Sequence, residues 1–331
     1  MREALAEAGA LAEITVLEEP TSEVLEAYAL DGRVGVIAIV RGGPEARAAA
    51  LLAGALEALD PALPAVEGRA RVEAAVARFR SRLHLEQARD ALDALVEVRE
   101  LDLRLAAQLQ KSLLPRPPRV PGWEVAVAHL PREFVSGDAW DARLVGRDAL
   151  LLWTMDAVGH GVPAALLTVL LRTAIAPLDE DGRPRPPGLV LRELDRRLCE
   201  ARLDGSPTAA FCHGWIDLEA RRLRLANAGH PLPVRLRPSG EVEQLGDSGL
   251  LLGVEPVERA TFEVALDPGD RVFLFTDGVG PDLGGRFVAE LRAHRDLPLM
   301  DQLGGAMGAA VDLDLEGRPE DDVTVLAVEV G

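Results

Sequence analysis

Residues 149–161 read ALLLWTMDAVGHG, and this stretch decides the fold of the second part of the chain. The apolar run that ends at Met155 is typical of a strand that is buried on both faces. Asp156 follows at the end of this strand, and the glycines on either side of His160 predict a turn into the helix that Pro163 begins. An aspartate between a buried strand and a glycine turn is well placed to bind a hard cation.

Similar arrangements recur at three other places in the chain. Asp138 follows a Ser-Gly pair, Asp277 follows another apolar run, and the pair Asp321-Asp322 comes directly before a third. One such aspartate alone usually marks only a turn. Several carboxylates that converged from strand ends would repel one another and lose their hydration, unless a metal ion balanced their charge. The sequence therefore predicts a metal site formed by these aspartates.

The composition of the 331 residues limits the classes of function. Hydrophobic residues make up 48% and charged residues 27%, which is typical of a soluble globular protein, and the length suits about two domains. The formal net charge of −18 disfavours binding to nucleic-acid phosphates or to anionic membrane surfaces. We therefore expect no nucleic-acid partner and no membrane partner.

The cysteines and the N-terminal segment indicate the compartment. Cys199 and Cys212 lack the spacing of a zinc site or of a disulfide framework, which favours a reducing environment. The segment that follows Met1 is acidic and rich in alanine, without the apolar core of a signal peptide. The apolar runs are too short to span a bilayer. We expect a cytoplasmic protein.

Residues 1–80 are predicted to form a small α/β domain. Continuous β-branched runs predict buried strands at residues 14–17 and 34–40, and alanine- and leucine-rich segments predict helices at residues 44–59 and 70–82. The alternation of strands and helices favours a parallel sheet.

The order of strand, helix, turn and final helix in this domain resembles the second half of a response-regulator receiver domain. The resemblance implies a truncated regulatory domain, because too little chain precedes Val34 for a complete receiver. Asp31 is interpreted as a turn residue and not as a phosphoacceptor.

Residues 81–114 are predicted to form a helical linker. Residues 83–114 contain no glycine or proline, and the apolar side chains from Leu85 to Leu95 keep heptad spacing. This pattern favours a coiled coil that pairs two chains into a homodimer. The alternative is a helix packed on its own domain. Pro115 and the prolines after it end the helix and mark a domain boundary.

Residues 115–331 are predicted to form an α+β domain with antiparallel sheets. Short turns join most neighbouring strands, and the helices fall in two blocks between groups of strands. The predicted strands lie at residues 124–130, 139–145, 149–155, 209–217, 222–226, 233–237, 242–245, 262–266, 271–276 and 323–330. The predicted helices lie at residues 163–175, 187–202, 287–294 and 300–311.

Five motifs in this region carry a resemblance to a known family. In chain order they are SGDAWD at residues 136–141, DAVGHGVPAA at 156–165, NAGHP at 227–231, FTDGV at 275–279 and DDVT at 321–324. They follow the segment QLQKSLLP at residues 108–115. From about residue 107 to residue 331 the chain resembles the PPM-type (protein phosphatase 2C-like) metal-dependent serine/threonine phosphatases, in the bacterial branch that regulates sporulation and stress responses.

This resemblance implies an αββα sandwich with two Mn²⁺ or Mg²⁺ ions between the sheets. The implied ligands are the backbone carbonyl of Ala157 and the carboxylates of Asp138, Asp156, Asp277 and Asp321. Asp322 is a weaker candidate. Oxygen ligands favour Mg²⁺ or Mn²⁺ over zinc. Two such ions lower the pKa of a bound water and hold the phosphoryl oxygens during in-line attack.

Other residues of the motifs have weaker implications. His160 lies beside the metal loop, where it would act as a general acid for the leaving hydroxyl; the alternative is a loop histidine that shapes the turn. His230 is interpreted as part of a structural turn. The chain departs from the family pattern at Ser136, at Met155 and at the pair Gly280-Pro281, and none of these departures removes a carboxylate ligand.

These observations predict a metal-dependent phosphatase that acts on phosphoserine and phosphothreonine in proteins. The resemblance implies that the substrate is a phosphorylated anti-sigma factor antagonist with a STAS fold, in a partner-switching pathway. The N-terminal domain would receive an activator protein or signal. Two alternatives are a non-catalytic adaptor that keeps the phosphatase fold and a hydrolase of small phosphoesters. Retention of all four aspartates disfavours the adaptor.

Overall fold

The computed structural model of the 331-residue chain describes residues 14–31, 34–203, 205–280, 285–314 and 317–331. The chain divides into two compact units, Met1–Glu100 and Leu101–Gly331. In the described part, no helix is both long and apolar enough to cross a membrane. The N-terminal segment considered for a signal peptide and Pro281 lie outside the described residues.

The first unit is built around a three-stranded sheet. Its elements are β1 (Ile14–Glu18), α1 (Ser22–Asp31), β2 (Gly35–Ile39), α2 (Gly43–Leu52), β3 (Glu57–Leu59) and the first part of α3 (Ala65–Leu113). Strand β2 lies at the centre and pairs in parallel with β1 and with β3. Both of its faces are covered, because Val36 and Ala38 pack with α1 and α2, whereas Ile37 packs with α3. The predicted parallel α/β arrangement is confirmed. Asp31 is the last residue of α1 and not a turn residue, and its side chain lies outside the described residues.

One helix predicted in this unit is wrong in its second half. The segment predicted as a helix over residues 44–59 leaves the helix after Leu52, and Glu57–Leu59 forms β3. The break occurs near Gly54, whose φ of +104° suits glycine and where an added Cβ would lie 2.4 Å from the Ala29 Cβ. Pairing of β3 with β2 outweighs the helix preference of the alanines and leucines.

Helix α3 is continuous, although the sequence predicts two helices at residues 70–82 and 83–114. It begins after Pro64, and no proline interrupts it. Its first part buries Val72 and Phe79 against the sheet of the first unit. Beyond residue 80 most of its side chains are exposed. The boundary that the sequence predicts near residue 82 is therefore a change from partly buried to exposed side chains, and the helix itself continues through it. The coiled coil stays a prediction.

The second unit is a sandwich of two five-stranded sheets with helices outside. Its strands are β4 (Trp123–Leu130), β5 (Asp138–Val145), β6 (Ala149–Ala157), β7 (Ala209–Asp217), β8 (Arg222–Ala228), β9 (Val234–Leu236), β10 (Val242–Gln244), β11 (Phe262–Ala265), β12 (Arg271–Phe275) and β13 (Val323–Val330). Its further helices are α4 (Val162–Ala174), α5 (Pro187–Glu200), α6 (Gly285–Ala293) and α7 (Leu299–Ala310). One sheet has the order β10-β9-β12-β13-β4 and the other β11-β8-β7-β6-β5, with antiparallel pairing throughout the described strands.

Apolar side chains hold the layers of the sandwich together. Leu152 of β6 and Leu274 of β12 lie in the layer between the two sheets. The next residue on β6, Trp153, faces α4 and α5, and Phe273 of β12 faces α6 and α7. Because both faces of these strands are buried, their sequences are continuously apolar. The predicted sandwich of two antiparallel sheets flanked by helices is confirmed.

The register of the strands brings the predicted site residues to the ends of the sheets. Asp138 and Asp156 lie directly opposite each other on β5 and β6. In the other sheet, Phe275 ends β12 opposite Val325 of β13. The residues that follow β12 therefore lie beside those that precede β13.

Candidate functional site

Carboxylates from both sheets converge into one cluster. Asp156, at the end of β6, is hydrogen-bonded to Asp277, which follows β12. The pKa of Asp156 is raised to about 7, mainly by burial and then by the negative charges of Asp277, Asp321 and Asp322. Asp138 belongs to the same cluster, because it lies directly opposite Asp156 in the β5–β6 pair. The structure thus brings together all the aspartates that the sequence predicts as ligands.

Asp138 is almost fully buried, and its two carboxyl oxygens have different surroundings. Its Oδ2 accepts hydrogen bonds from Thr276 Oγ1 at 2.8 Å and from Thr324 Oγ1 at 2.7 Å. Its Oδ1 has no hydrogen-bond partner among the described residues. Burial raises the pKa of Asp138 well above its usual value, and the charge of Asp156 acts in the same direction, whereas the two hydroxyls oppose the shift. A buried oxygen without a partner is uncommon in proteins, and this one suits coordination of a cation.

Asp277 begins a 3₁₀ turn, Asp277–Val279, directly after β12 and is exposed. Its carboxyl group is nevertheless partly buried, and this partial burial and then the charge of Asp321 raise its pKa, while hydrogen bonds from the backbone of the turn and from Asp156 oppose the shift. The turn needs glycine at Gly278, because an added Cβ would lie 2.0 Å from the Asp322 carbonyl oxygen. This close packing holds the end of β12 against the start of β13.

The aspartate pair before β13 divides into an exposed and a buried residue. Asp321 is exposed, and its Oδ1 accepts the Asp322 N–H at 2.8 Å. The buried Asp322 accepts the Arg132 N–H at 2.8 Å on Oδ1 and the Gly137 N–H at 2.6 Å on Oδ2. Both Asp322 oxygens are therefore engaged by the loop that leads to Asp138. This geometry favours Asp322 as the anchor of that loop and Asp321 as the stronger ligand candidate.

The backbone of Ala157 lies against the same loop. Its N–H donates to the Gly137 carbonyl at 2.9 Å, and its own carbonyl oxygen would be 3.1 Å from a Cβ added to Gly137. Glycine at this position permits that close approach. The carbonyl proposed as a ligand is thus adjacent to the loop that carries Asp138.

Two threonines and a histidine around Asp138 were missed by the sequence reasoning. Thr324 donates its hydroxyl proton to Asp138, so His129 Nδ1, which lies 2.9 Å from Thr324 Oγ1, must be the donor to that oxygen. Burial lowers the pKa of His129 to about 4, against the opposing charge of Asp322, and the ring is neutral at pH 7. The position of Thr276 directly before Asp277 was a signal in the sequence, but threonine is also an ordinary strand residue.

Gln110, near the end of α3, holds the other side of the loop. Its Nε2 donates to the Ser136 carbonyl at 2.7 Å, and its Oε1 accepts the Ser136 N–H at 2.9 Å. Nε2 also lies 3.3 Å from Thr168 Oγ1 of α4. A side-chain amide that pairs with both backbone groups of one residue fixes that residue as a neighbouring strand would. The loop before Asp138 is thus held from α3 by Gln110 and from the start of β13 by Asp322.

The two histidines of the motifs have different surroundings. The side chain of His160 is 75% exposed, and its Nδ1 lies 3.9 Å from Glu133 Oε1. His230 is buried in a turn, where Asn227 Oδ1 accepts the His230 N–H at 2.8 Å and Asn227 Nδ2 donates to the His230 carbonyl at 2.9 Å. Burial lowers the pKa of His230 to about 4. His230 shapes the turn as predicted, whereas His160 is accessible to a substrate.

The chemistry of the cluster fits a hard divalent cation. The candidate ligands are all oxygens, and Asp138 contributes a buried oxygen without a partner. The raised pKa values of Asp156 and Asp277 arise from burial and from mutual repulsion, both of which a cation would offset. Within the described ranges, no three Asp, Glu, His or Cys side chains already surround a common metal position.

The comparison with protein families and with curated sequences agrees with the motifs. Residues 146–331 match the family model described as stage II sporulation protein E (SpoIIE). Phosphoserine phosphatase RsbU of Bacillus subtilis (strain 168) is 26% identical over 181 residues, which are 54% of this chain. The chain spans about half of that relative, 53% of its length.

The comparison with solved structures agrees with the fold. The SiaA-PP2C domain of Pseudomonas aeruginosa has a TM-score of 0.63 at 26% identity, over 72% of this chain and 99% of that chain. The RsbU and RsbW domains of Rv1364c from Mycobacterium tuberculosis have a TM-score of 0.56 at 26% identity, over 66% of this chain and 62% of that chain. Both similarities are consistent with the two-sheet sandwich described above.

Proposed function

This chain belongs to the stage II sporulation protein E (SpoIIE) family, and on that premise we propose that it is a metal-dependent phosphatase of phosphoserine and phosphothreonine in proteins. The family resemblance that the five motifs carry is confirmed by this match. Similarity to the phosphoserine phosphatase RsbU and to the SiaA-PP2C domain supports the reaction.

The observation that carries the proposal is the convergence of carboxylates around Asp156. Burial and mutual repulsion raise its pKa to about 7, which is the electrostatic situation that a bound cation relieves. We propose that two Mn²⁺ or Mg²⁺ ions are held by the carbonyl of Ala157 and the carboxylates of Asp138, Asp156, Asp277 and Asp321. When bound, such ions lower the pKa of water and neutralise charge on the phosphoryl oxygens.

The chain's own residues would keep this cluster ordered. Thr276 and Thr324 donate to one oxygen of Asp138 and leave the other oxygen for the cation. Asp322 and Gln110 hold the loop before Asp138 from opposite sides. These contacts restrict the rotation of Asp138, and restriction of a ligand is what strengthens metal binding.

His160 is proposed as the donor of a proton to the leaving serine or threonine hydroxyl, and shaping of the turn is the alternative role. Its 75% exposure leaves it accessible to a phosphoprotein. His160→Asn should slow hydrolysis of a phosphoserine peptide but not of p-nitrophenyl phosphate, because p-nitrophenolate leaves without a proton. Equal slowing of both substrates would favour the role in the turn.

The proposed substrate is a phosphorylated anti-sigma factor antagonist with a STAS fold, in a partner-switching pathway. The motif resemblance supports this class, and the similarity to the phosphoserine phosphatase RsbU supports phosphoserine as the group that is hydrolysed. A higher kcat/KM for a phosphorylated STAS protein than for a peptide with the same phosphorylated segment is the expected result. Equal values would argue against recognition of the folded partner. The cytoplasmic location stays a prediction.

We further propose a regulatory domain at residues 1–80, a helical linker at 81–114 and a phosphatase domain at 115–331. An activator protein or signal would act on the regulatory domain, and α3 would carry the effect to Gln110 and so to the loop before Asp138. Deletion of residues 1–80 should change the metal-dependent rate or its response to a candidate activator. An unchanged rate and response would contradict this division of roles.

The apolar side chains of α3 support a homodimer through residues 83–114. In the single chain Leu85, Leu92 and Leu95 are 69%, 60% and 68% exposed, and exposed leucines at heptad spacing are typical of a coiled coil. Sedimentation equilibrium should show a dimer that Leu92→Glu dissociates. Gln87→Glu, which adds the same charge to an exposed polar position of the helix, is the control. A monomeric wild type would contradict the proposal.

The deciding experiment is Mn²⁺-dependent hydrolysis of a phosphoserine peptide and of p-nitrophenyl phosphate. Activity should require the metal and collapse in Asp156→Asn and Asp277→Asn, whereas Asp181→Asn should retain it, because Asp181 is an exposed turn residue. Folded protein without activity at any Mn²⁺ concentration would favour the adaptor, or an enzyme that is inactive without its activator. Activity on the small ester alone would favour a small-phosphoester hydrolase.

A further inference from the structure

The end of α3, the prolines that follow it and strand β4 enclose a cavity of about 720 Å³. This volume lies within the range of small-molecule sites, roughly 300–1,000 Å³. Leu114, Phe134 and Trp140 contribute apolar surface, and Lys111 and Arg116 contribute positive charge. The described residues that line the cavity include none of the aspartates of the metal cluster, so this is a separate site.

The charge of the cavity is opposite to that of the whole protein. None of its described lining residues is acidic, although the chain has a formal net charge of −18. Lys111 and Arg116 form no ion pair with any residue that the structure describes. Burial lowers the pKa of His129 on the β4 wall, the Asp322 charge opposes this shift, and the Lys111 charge adds to it. Cations beside an apolar wall favour a ligand with one anionic end and an apolar body.

Two residues that line the cavity also hold the loop and the side chain of Asp138. Gln110 pairs with both backbone groups of Ser136. His129 donates to Thr324, which in turn donates to Asp138. A ligand that displaced Gln110 or His129 from these hydrogen bonds would change the restraints on Asp138.

We propose that this cavity binds a small amphipathic carboxylate and that its occupancy alters the affinity of the aspartate cluster for Mn²⁺. The carboxylate group of the ligand meets Lys111 and Arg116, and its apolar body lies against Phe134 and Trp140. The coupling to Mn²⁺ rests on the proposed function, whereas the binding of the carboxylate does not.

Decanoate is the probe, titrated by calorimetry into full-length metal-free protein. Saturable binding is expected for decanoate, with no binding of decanol and weaker binding of inorganic phosphate. The double variant Lys111→Gln, Arg116→Gln should weaken decanoate binding about ten-fold, because two charge-assisted contacts are lost. Ala107→Leu, which fills the cavity from α3, should weaken it without a change of charge. Arg147→Gln removes an exposed charge on the β5–β6 turn and should leave binding unchanged.

The coupling is measured by Mn²⁺ titration with and without saturating decanoate, and a change in Mn²⁺ affinity of about five-fold or more is expected. Linkage requires that Mn²⁺ change decanoate affinity by the same factor.

The absence of saturable decanoate binding, or equal binding by the wild type and both cavity variants, overturns the site. Phosphate binding as tight as that of decanoate overturns the amphipathic assignment. Decanoate binding with unchanged Mn²⁺ affinity overturns the coupling, and a chain that binds decanoate but no Mn²⁺ refutes the metal centre while the carboxylate site stands.

Discussion

Replacement of Thr324 by valine tests whether the hydroxyls around Asp138 set the metal affinity of the cluster. Thr324 Oγ1 donates to Asp138 Oδ2 at 2.7 Å, and Asp138 is only 1% exposed. Valine keeps the β-branched shape that suits β13 but removes the donor. A hydrogen bond to a charged group contributes about 1.5–3 kcal/mol, and the variant should therefore bind Mn²⁺ roughly ten- to 150-fold more weakly.

An independent estimate gives a similar magnitude. Loss of a residue that orients a metal ligand typically weakens metal binding about 10- to 100-fold. The change also removes the acceptor of the His129 Nδ1–H, which lies 2.9 Å from the Thr324 hydroxyl, and this loss should lower the stability of the variant. Saturating Mn²⁺ should restore part of the phosphatase activity of Thr324→Val, because the carboxylate ligands remain.

The assay is calorimetric titration of Mn²⁺ into metal-free protein. Thr324→Ser keeps the hydroxyl and should bind Mn²⁺ much like the wild type. Thr173→Val removes an exposed hydroxyl of α4 that donates to the Leu170 carbonyl, and it controls for the substitution itself. Equal Mn²⁺ affinity of Thr324→Val and Thr324→Ser would refute the role of this hydroxyl in holding Asp138.

Three further predictions concern the scaffold of the site. Burial lowers the pKa of His213 from 6.5 to about 4, so the unfolded chain takes up a proton at a higher pH than the folded chain does. The free energy of unfolding should therefore fall by up to about 3 kcal/mol as the pH drops from 6.5 to about 4. Urea unfolding of His213→Gln should lack this contribution. Arg259→Met leaves the buried Asp195 carboxylate without its 2.7 Å ion pair, and the free energy of unfolding in urea should fall by about 3–5 kcal/mol. Addition of Asp195→Asn to this variant should recover much of that loss. Gly278→Ala would place a Cβ 2.0 Å from the Asp322 carbonyl oxygen. The free energy of unfolding should fall by about 1–3 kcal/mol, and Mn²⁺ binding should weaken. An unchanged melting temperature would contradict this packing.

The strands around the site could be predicted from the sequence because their signals are local. β7 and β13 have the predicted bounds, Ala209–Asp217 and Val323–Val330, since turn residues flank continuous apolar runs. The strand at Glu57–Leu59 could not be predicted in the same way. Its residues favour a helix, and it is stabilised by parallel pairing with β2, which is distant in the sequence.

The aspartates could be predicted as a set, but the residues that hold them could not. A carboxylate beside a buried strand needs an explanation wherever it occurs. Thr324 needs none, because threonine is common in strands, and a hydroxyl that bonds Asp138 looks no different in the sequence from one that faces a neighbouring strand. Gln110 is similar, since a polar residue on a helix usually faces solvent, and its partner Ser136 is 26 residues away.

The two aspartates before β13 show why a motif identifies a site more readily than it assigns roles within it. Asp321 lies in a bend, whereas Asp322 leads directly into β13, so the two side chains have different surroundings. Both Asp322 oxygens accept N–H groups, from Arg132 and from Gly137, and the residue is buried, whereas Asp321 is exposed. A carboxylate whose oxygens are both engaged by a loop is suited to fix that loop. The loop that Asp322 fixes leads to Asp138, so the buried aspartate is suited to position one of the proposed ligands, and its exposed neighbour remains available as another proposed ligand.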